Sequence, residues 1–228
     1  MMLTGSVNST TGRLAGAAFL AFFLLIGCGG DDSTPVTPTA LTTAAAYTER
    51  GWERFEAANY SGALDDFSQA IVLDATYGEA HAGQGWTHLA RATSSIFMQT
   101  AVTSFASAMD NGENGAYVLA GRAAANLGAG GASLDAAVAD ALAALAADGT
   151  FVFSHRTSFN ADDLRLIQAF ARAAQGDFSG ALDAADLVLL SGIDEGSTGT
   201  WSVDGTTYDS FNGAVLAHLH KLSEQYSG

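Results

Sequence analysis

The chain has 228 residues, 48% of them hydrophobic, and a formal net charge of −15 from 24 acidic against 9 basic side chains. That balance argues against nucleic acid and anionic lipid headgroups as electrostatic partners. With a single cysteine, Cys28, there is neither an internal disulfide nor a multi-thiol metal site.

Residues 1–27 read as a targeting segment and stand outside the fold. Arg13 is its one charge, and the apolar run from Leu14 to Ile26 has 13 residues, short of the roughly 20 that cross a bilayer as a helix. The run ends in Leu25-Ile26-Gly27-Cys28, which resembles a bacterial lipobox. The resemblance implies diacylglycerol on the Cys28 sulfur, cleavage before it and acylation of the new amino terminus, an anchor of more than one chain. A plain secretory signal or an uncleaved anchor would not account for a lone cysteine directly after the run. Gly29 stands where enteric lipoproteins kept on the inner membrane carry aspartate, so the expected location is the periplasmic side of the outer membrane. Asp31 and Asp32 keep the inner membrane open. Residues 28–43 hold both prolines, Pro35 and Pro38, and lack periodicity; this tether reaches about 50 Å extended and about 20 Å as a flexible average.

From Ala44 the pattern becomes helical. Gly51 precedes Ala63 by twelve residues, and Phe67 and Ala70 follow at intervals of four and three. Gly51 is expected on a first helix and Ala63 on a second, with Asn59 to Gly62 as the turn and Ser61 as N-cap. The pattern returns. Gly85 and Trp86 stand 34 residues after Gly51 and Trp52, followed by Ala101, Phe105 and Ala108, four residues later than a strict period. A third copy reads Gly121, Ala137, Ala141 and Ala144, and a fourth contains Phe178 to Asp183, FSGALD, against YSGALD at Tyr60 to Asp65. This places Ala181, Ala185 and Val188 at the positions of Ala63, Phe67 and Ala70.

These residues, with Tyr47 and Tyr60, resemble the tetratricopeptide repeat, a helical hairpin of about 34 residues; Ala75 stands where its proline usually lies. The resemblance implies an all-α, right-handed superhelical solenoid of about four hairpins, at 44–77, 78–111, 114–148 and 160–191. A region at 192–228 closes the stack. In it Asp204-Gly205 reads as the turn of a small β-hairpin, and a last helix from about Asp209 reads as a cap with Phe211, Val215, Leu216, Leu219, Leu222 and Tyr226 on its covered face.

Six of the eight basic residues after Cys28 fall on or beside first helices: Arg50, Arg54, Arg91, Arg122, Arg165 and Arg172. The second helices carry Asp65, Asp66, Asp74, Asp140, Asp148, Asp183 and Asp186 and no Lys or Arg. By the resemblance, first helices line a concave groove, so the expected groove is mixed and the expected back acidic. Candidate groove contacts are Trp52, Phe55, Trp86, Arg122 and Phe170, suited to a peptide, a carboxylate-bearing segment or a sugar. Trp52 and Trp86 read equally as rings stacked from repeat to repeat. Lys221 is the one lysine, so the lysine-based clamp of some chaperone-binding members is missing.

Between the third and fourth units, Gly149 to Asn160, GTFVFSHRTSFN, breaks helical period. Phe151 and Phe153 are expected to plug the core, and Asn160 with Asp163 to open the next helix as a capping box. No nucleophile motif, zinc motif, phosphate loop or dinucleotide fingerprint occurs. His81, His88, His155, His218 and His220 lack ligand or triad spacing, and Asp110 to Gly115 is a poor calcium loop because Gly121 stands where a bidentate glutamate belongs. The expectation is therefore no enzyme, no cofactor, no metal and no nucleic acid. What remains is a lipid-anchored scaffold for an envelope protein or peptide, held to the membrane through Cys28, with glycan or small-molecule capture as the alternative.

Overall fold

A computed structural model of the chain describes residues 41–226; the leader, Cys28 and most of the tether lie outside them. Four helical hairpins follow one another: α1 (Ala44–Glu56) with α2 (Tyr60–Leu73), α3 (Gly78–Arg91) with α4 (Ser95–Asp110), α5 (Ala116–Ala129) with α6 (Leu134–Ala147), and α7 (Ala161–Ala174) with α8 (Phe178–Asp186). Each helix packs on the next in sequence. In addition α1 touches α3, α3 touches α5 and α5 touches α7, whereas α2, α4, α6 and α8 do not meet one another. The stack is thus curved with the first helices inside, and the predicted all-α solenoid is the architecture observed.

The curvature follows from which side chains meet between helices. Phe67 of α2 is fully enclosed. A β-carbon added at Gly51 would lie 2.6 Å from its ring, and one added at Gly83, on the next hairpin, 2.3 Å. Phe105 of α4 repeats the arrangement between Gly85, at 2.8 Å, and Gly121, at 2.3 Å. One ring therefore wedges against bare backbone on its own first helix and on the following one. Such contacts let helix axes approach to the near end of the roughly 8–10 Å range. Ala63, Ala70, Ala101, Ala108, Ala137, Ala144 and Ala181 complete the seams, all without solvent exposure.

Local chemistry sets the helix ends. Thr43 accepts the Ala46 N–H at 3.1 Å to start α1. Asn59, not Ser61, caps α2 by accepting from Gly62 at 3.2 Å; Ala58, with a left-handed φ of 56°, turns the chain just before it, so the helix starts two residues earlier than expected. Asn160 and Asp163 form the predicted capping box at α7. In the second hairpin the four-residue delay appears as extra helix at the start of α4, which leaves Ile96 76% and Phe97 51% exposed.

Beyond α8, β1 (Trp201–Val203) and β2 (Thr206–Tyr208) form the expected antiparallel hairpin. Its turn residues Asp204 and Gly205 both have positive φ, 49° and 78°, as a type I′ turn requires. The last helix, α9 (Phe211–Tyr226), covers α7 and α8. Val215, Leu219 and Leu222 are buried there with Leu166, Ala169 and Leu182. Leu216 and Tyr226, read from the sequence as covered, are 51% and 41% exposed. His218 is buried on the same helix and meets the Leu189 carbonyl at 3.0 Å; burial lowers its pKa.

Alanine is a better helix former than glycine by about 1 kcal/mol, but a β-carbon at Gly83 has nowhere to go, since Gly51 already packs against the same ring of Phe67. Gly83→Ala is expected to destabilise the fold by a net ~1–3 kcal/mol in urea unfolding. Gly149→Ala, whose new carbon meets nothing nearer than 3.7 Å, is expected to stay within about 0.5 kcal/mol of the parent.

Candidate functional site

The inner face formed by α1, α3 and α5 presents Trp52, Trp86 and Tyr117 in a row, and the chain covers that row itself. The loop between α6 and α7 folds back across it. Phe153 stacks on Trp86 with centroids 3.9 Å apart and planes 14° from parallel. The same ring meets Trp52 edge-on at 6.0 Å and Tyr117 at 6.4 Å. Next along the loop, His155 lies flat on Trp52 at 4.1 Å and 1° and meets Glu56 through Nδ1 at 2.7 Å. Phe159 closes edge-on against Trp86 at 5.3 Å.

The loop is held by main-chain bonds as well as rings. Phe153 N donates to the Phe159 carbonyl at 2.9 Å and Ala161 N to the Phe151 carbonyl at 2.8 Å. Phe151 and Phe153 are 4% and 1% exposed, so the loop is a built part of the core. Trp52 is further fixed by an N–H bond to Glu79 at 3.2 Å. Tyr117 stands beside Glu79 and Glu113; burial first, and then those charges, raise its pKa.

The sequence-predicted contacts fare differently. Trp52, Phe55 and Trp86 are on the inner face but only 3–4% exposed, packed under the loop. Phe170 is half-buried and open to solvent further along. Arg122 is not on the face at all: its Nε donates to Asp140 at 2.8 Å across the third hairpin, where Asn126 also donates at 3.1 Å. Arg50 and Arg54 likewise converge on Asp66 in the first hairpin. Three of the arginines expected in the groove, Arg50, Arg54 and Arg122, are therefore turned towards the second helices, because Asp66 and Asp140 sit between buried core positions and draw them there. Asp66 and Asp140 are 2% and 5% exposed, so the back of the stack is less acidic than expected.

A cleft stays open where the loop ends, beside the last turn of α9. One lobe, about 270 Å³, has Trp86, Leu89, Arg156 and Phe159 in its wall. The second, about 280 Å³, is bounded by Leu127, Ile167 and Phe170. Ala124, Phe159, Asp163 and Tyr226 border both. Of the residues lining the cleft, sequence reasoning singled out Phe55, Trp86 and Phe170 as binding contacts. Asp163 lies at the start of α7, where one oxygen accepts the Asn160 N–H at 2.7 Å, and burial raises its pKa. Among the described residues no group of three or more His, Cys, Asp or Glu is placed to hold a metal ion. No described helix is long and apolar enough to cross a membrane.

If the loop is integral, Phe153→Ala is expected to cost about 3–4 kcal/mol in thermal or urea unfolding. His155→Ala, which removes a surface stack and one ion contact, should cost under about 1 kcal/mol while shifting Trp52 emission to longer wavelength as the indole face becomes wet.

No protein-family model matches the chain, and no curated protein matches it. Among solved structures it is similar to a thermophilic tetratricopeptide repeat protein of Thermus thermophilus, with a TM-score of 0.47, 15% identity, and coverage of 68% of this chain and 76% of that one.

Proposed function

We propose that the chain is a lipid-anchored scaffold that holds a partner polypeptide in the bacterial cell envelope. The observation that carries this reading is the loop itself. The inner face already accepts a non-helical run of polypeptide, Phe151 to Phe159, by stacking its rings on Trp86 and Trp52. The open cleft continues the same face past Phe159 to Phe170. A partner segment laid there would meet the same apolar and aromatic surface without displacing the loop. Glycan stacking on Trp52 and Trp86, the alternative, loses its support because both rings are covered.

The anchor is part of the proposal. A lipid on Cys28 and a tether up to Thr43 would hold the solenoid near the membrane, yet leave it free to reach about 20 Å on average.

Two experiments test these parts separately. A photoactivatable cross-linker placed in the full-length chain at Ser158 or Phe170, in the cells that make it, is expected to give a discrete protein adduct. The same group at Asp65 or Asp183, exposed on second helices, should give none. Adducts at all four positions, or at none, contradict the scaffold. For the anchor, Cys28→Ala is expected to move the protein from the membrane to the soluble fraction; retention in the membrane fraction rejects lipidation as the anchor.

A further inference from the structure

The cleft between the loop and α9 is walled by Arg156 and by Asp163, one oxygen of which accepts the Asn160 N–H in the capping box of α7. Of the eight basic side chains after Cys28, six are paired with aspartates: Arg50 and Arg54 with Asp66, Arg122 with Asp140, Arg165 with Asp162, Arg172 with Asp177, and Lys221 with Asp204. Arg156 is in the cleft wall and has no ion pair among the described residues. Trp86, in the same wall and 3% exposed, has its indole N–H buried with no acceptor. Asp163 borders both lobes.

We propose that this cleft is a receptor for a free apolar α-amino acid, with Arg156 taking the carboxylate, Asp163 the ammonium group, and Leu127, Ile167 and Phe170 the side chain. The charges select the class. A simple anion in the lobe of Arg156 would also face Asp163, and a simple cation near Asp163 would face Arg156; a zwitterion satisfies both. The apolar lobe excludes charged side chains by desolvation. The two adjoining lobes, about 270 and 280 Å³, together fall within the usual range of roughly 300–1,000 Å³ for small-molecule sites. Burial holds the Asp163 pKa above its ordinary value, and an ammonium group beside it would pull that pKa back down. The site does not require the scaffold reading, although a bound amino acid would occupy part of the face where a partner would lie.

The test is isothermal titration of the full-length chain with L-leucine and L-phenylalanine, then with N-acetyl-leucine and leucinamide, repeated on Arg156→Gln. Arg156 is exposed and makes no ion pair among the described residues, so this variant should melt with the parent. The expected result is a Kd below about 1 mM for the free amino acids and binding about tenfold or more weaker for both blocked analogues. In Arg156→Gln, leucine should weaken by about tenfold while leucinamide, lacking the carboxylate, binds as it does to the parent. Absence of binding by both amino acids overturns the inference, as do blocked analogues that match them or an Arg156→Gln variant that binds leucine normally. Cross-linking of a partner at Phe170 with no amino-acid binding leaves the scaffold standing and removes this site alone.

Discussion

The structure depends on a phenyl ring wedged between two glycines. Phe67 lies against Gly51 on its own hairpin and Gly83 on the next, and Phe105 against Gly85 and Gly121, with no room for a β-carbon at any of the four. The ring does two jobs at once. It fills the hairpin and it sets the distance to the following one, so each repeat is incomplete without its neighbour. Because both glycines of each pair are on first helices, the first helices are drawn together while the second helices splay. The curvature of the stack is thus a consequence of where the side chains are missing.

The third and fourth hairpins lack that ring. Ala141 and Ala185 occupy its position, both fully buried, and the seam there is alanine against alanine. A thinner seam needs other support, and α7 supplies it by facing two ways. Leu164, Ile167 and Ala171 join the core of the preceding hairpins, whereas Leu166 and Ala169 join the core made with α8 and α9. The loop before α7 adds Phe151 and Phe153 to the first of these. The aromatic volume absent from α6 and α8 is in effect moved into the loop, where it binds the inner face across many residues of sequence.

The fold was legible because its information is periodic. Gly51, Gly85 and Gly121, and Phe67 and Phe105, recur at offsets that a helical hairpin alone explains, and Asp204-Gly205 and the Asn160 to Asp163 capping box are local signals with one stereochemical meaning each. The site was much less so. His155 meets Glu56 across 99 positions of sequence, a contact that no spacing rule reaches, and Trp52 and Trp86 carry the same letters whether bare or covered. Counting charges by helix also misled, since it gave Arg122 to the groove without asking which way it turns. A usable signal was present: Asp66 follows Ala63 by three and precedes Phe67, and Asp140 stands likewise between Ala137 and Ala141. A carboxylate between two core positions is buried, and a buried carboxylate needs a cation.

That requirement shapes what the inner face can bind. The chain has few basic side chains, and most are committed to aspartates within a hairpin or beside a turn. Pairs such as Arg122 with Asp140 repay the desolvation of the carboxylate only through geometry, with two parallel N–H bonds and Asn126 as a third donor. Their yield is therefore chiefly in fixing which face of α5 meets α6. With Arg50, Arg54 and Arg122 withdrawn, the inner face keeps its aromatic and aliphatic surface, and Arg156, carried by the loop and not by a helix, is in the wall of its open cleft to interact with negative charge. The loop thus covers the part of the face that is richest in rings and brings the Arg156 guanidinium to the uncovered part, so the recognition chemistry of this solenoid is set by the insertion between its repeats more than by the repeats themselves.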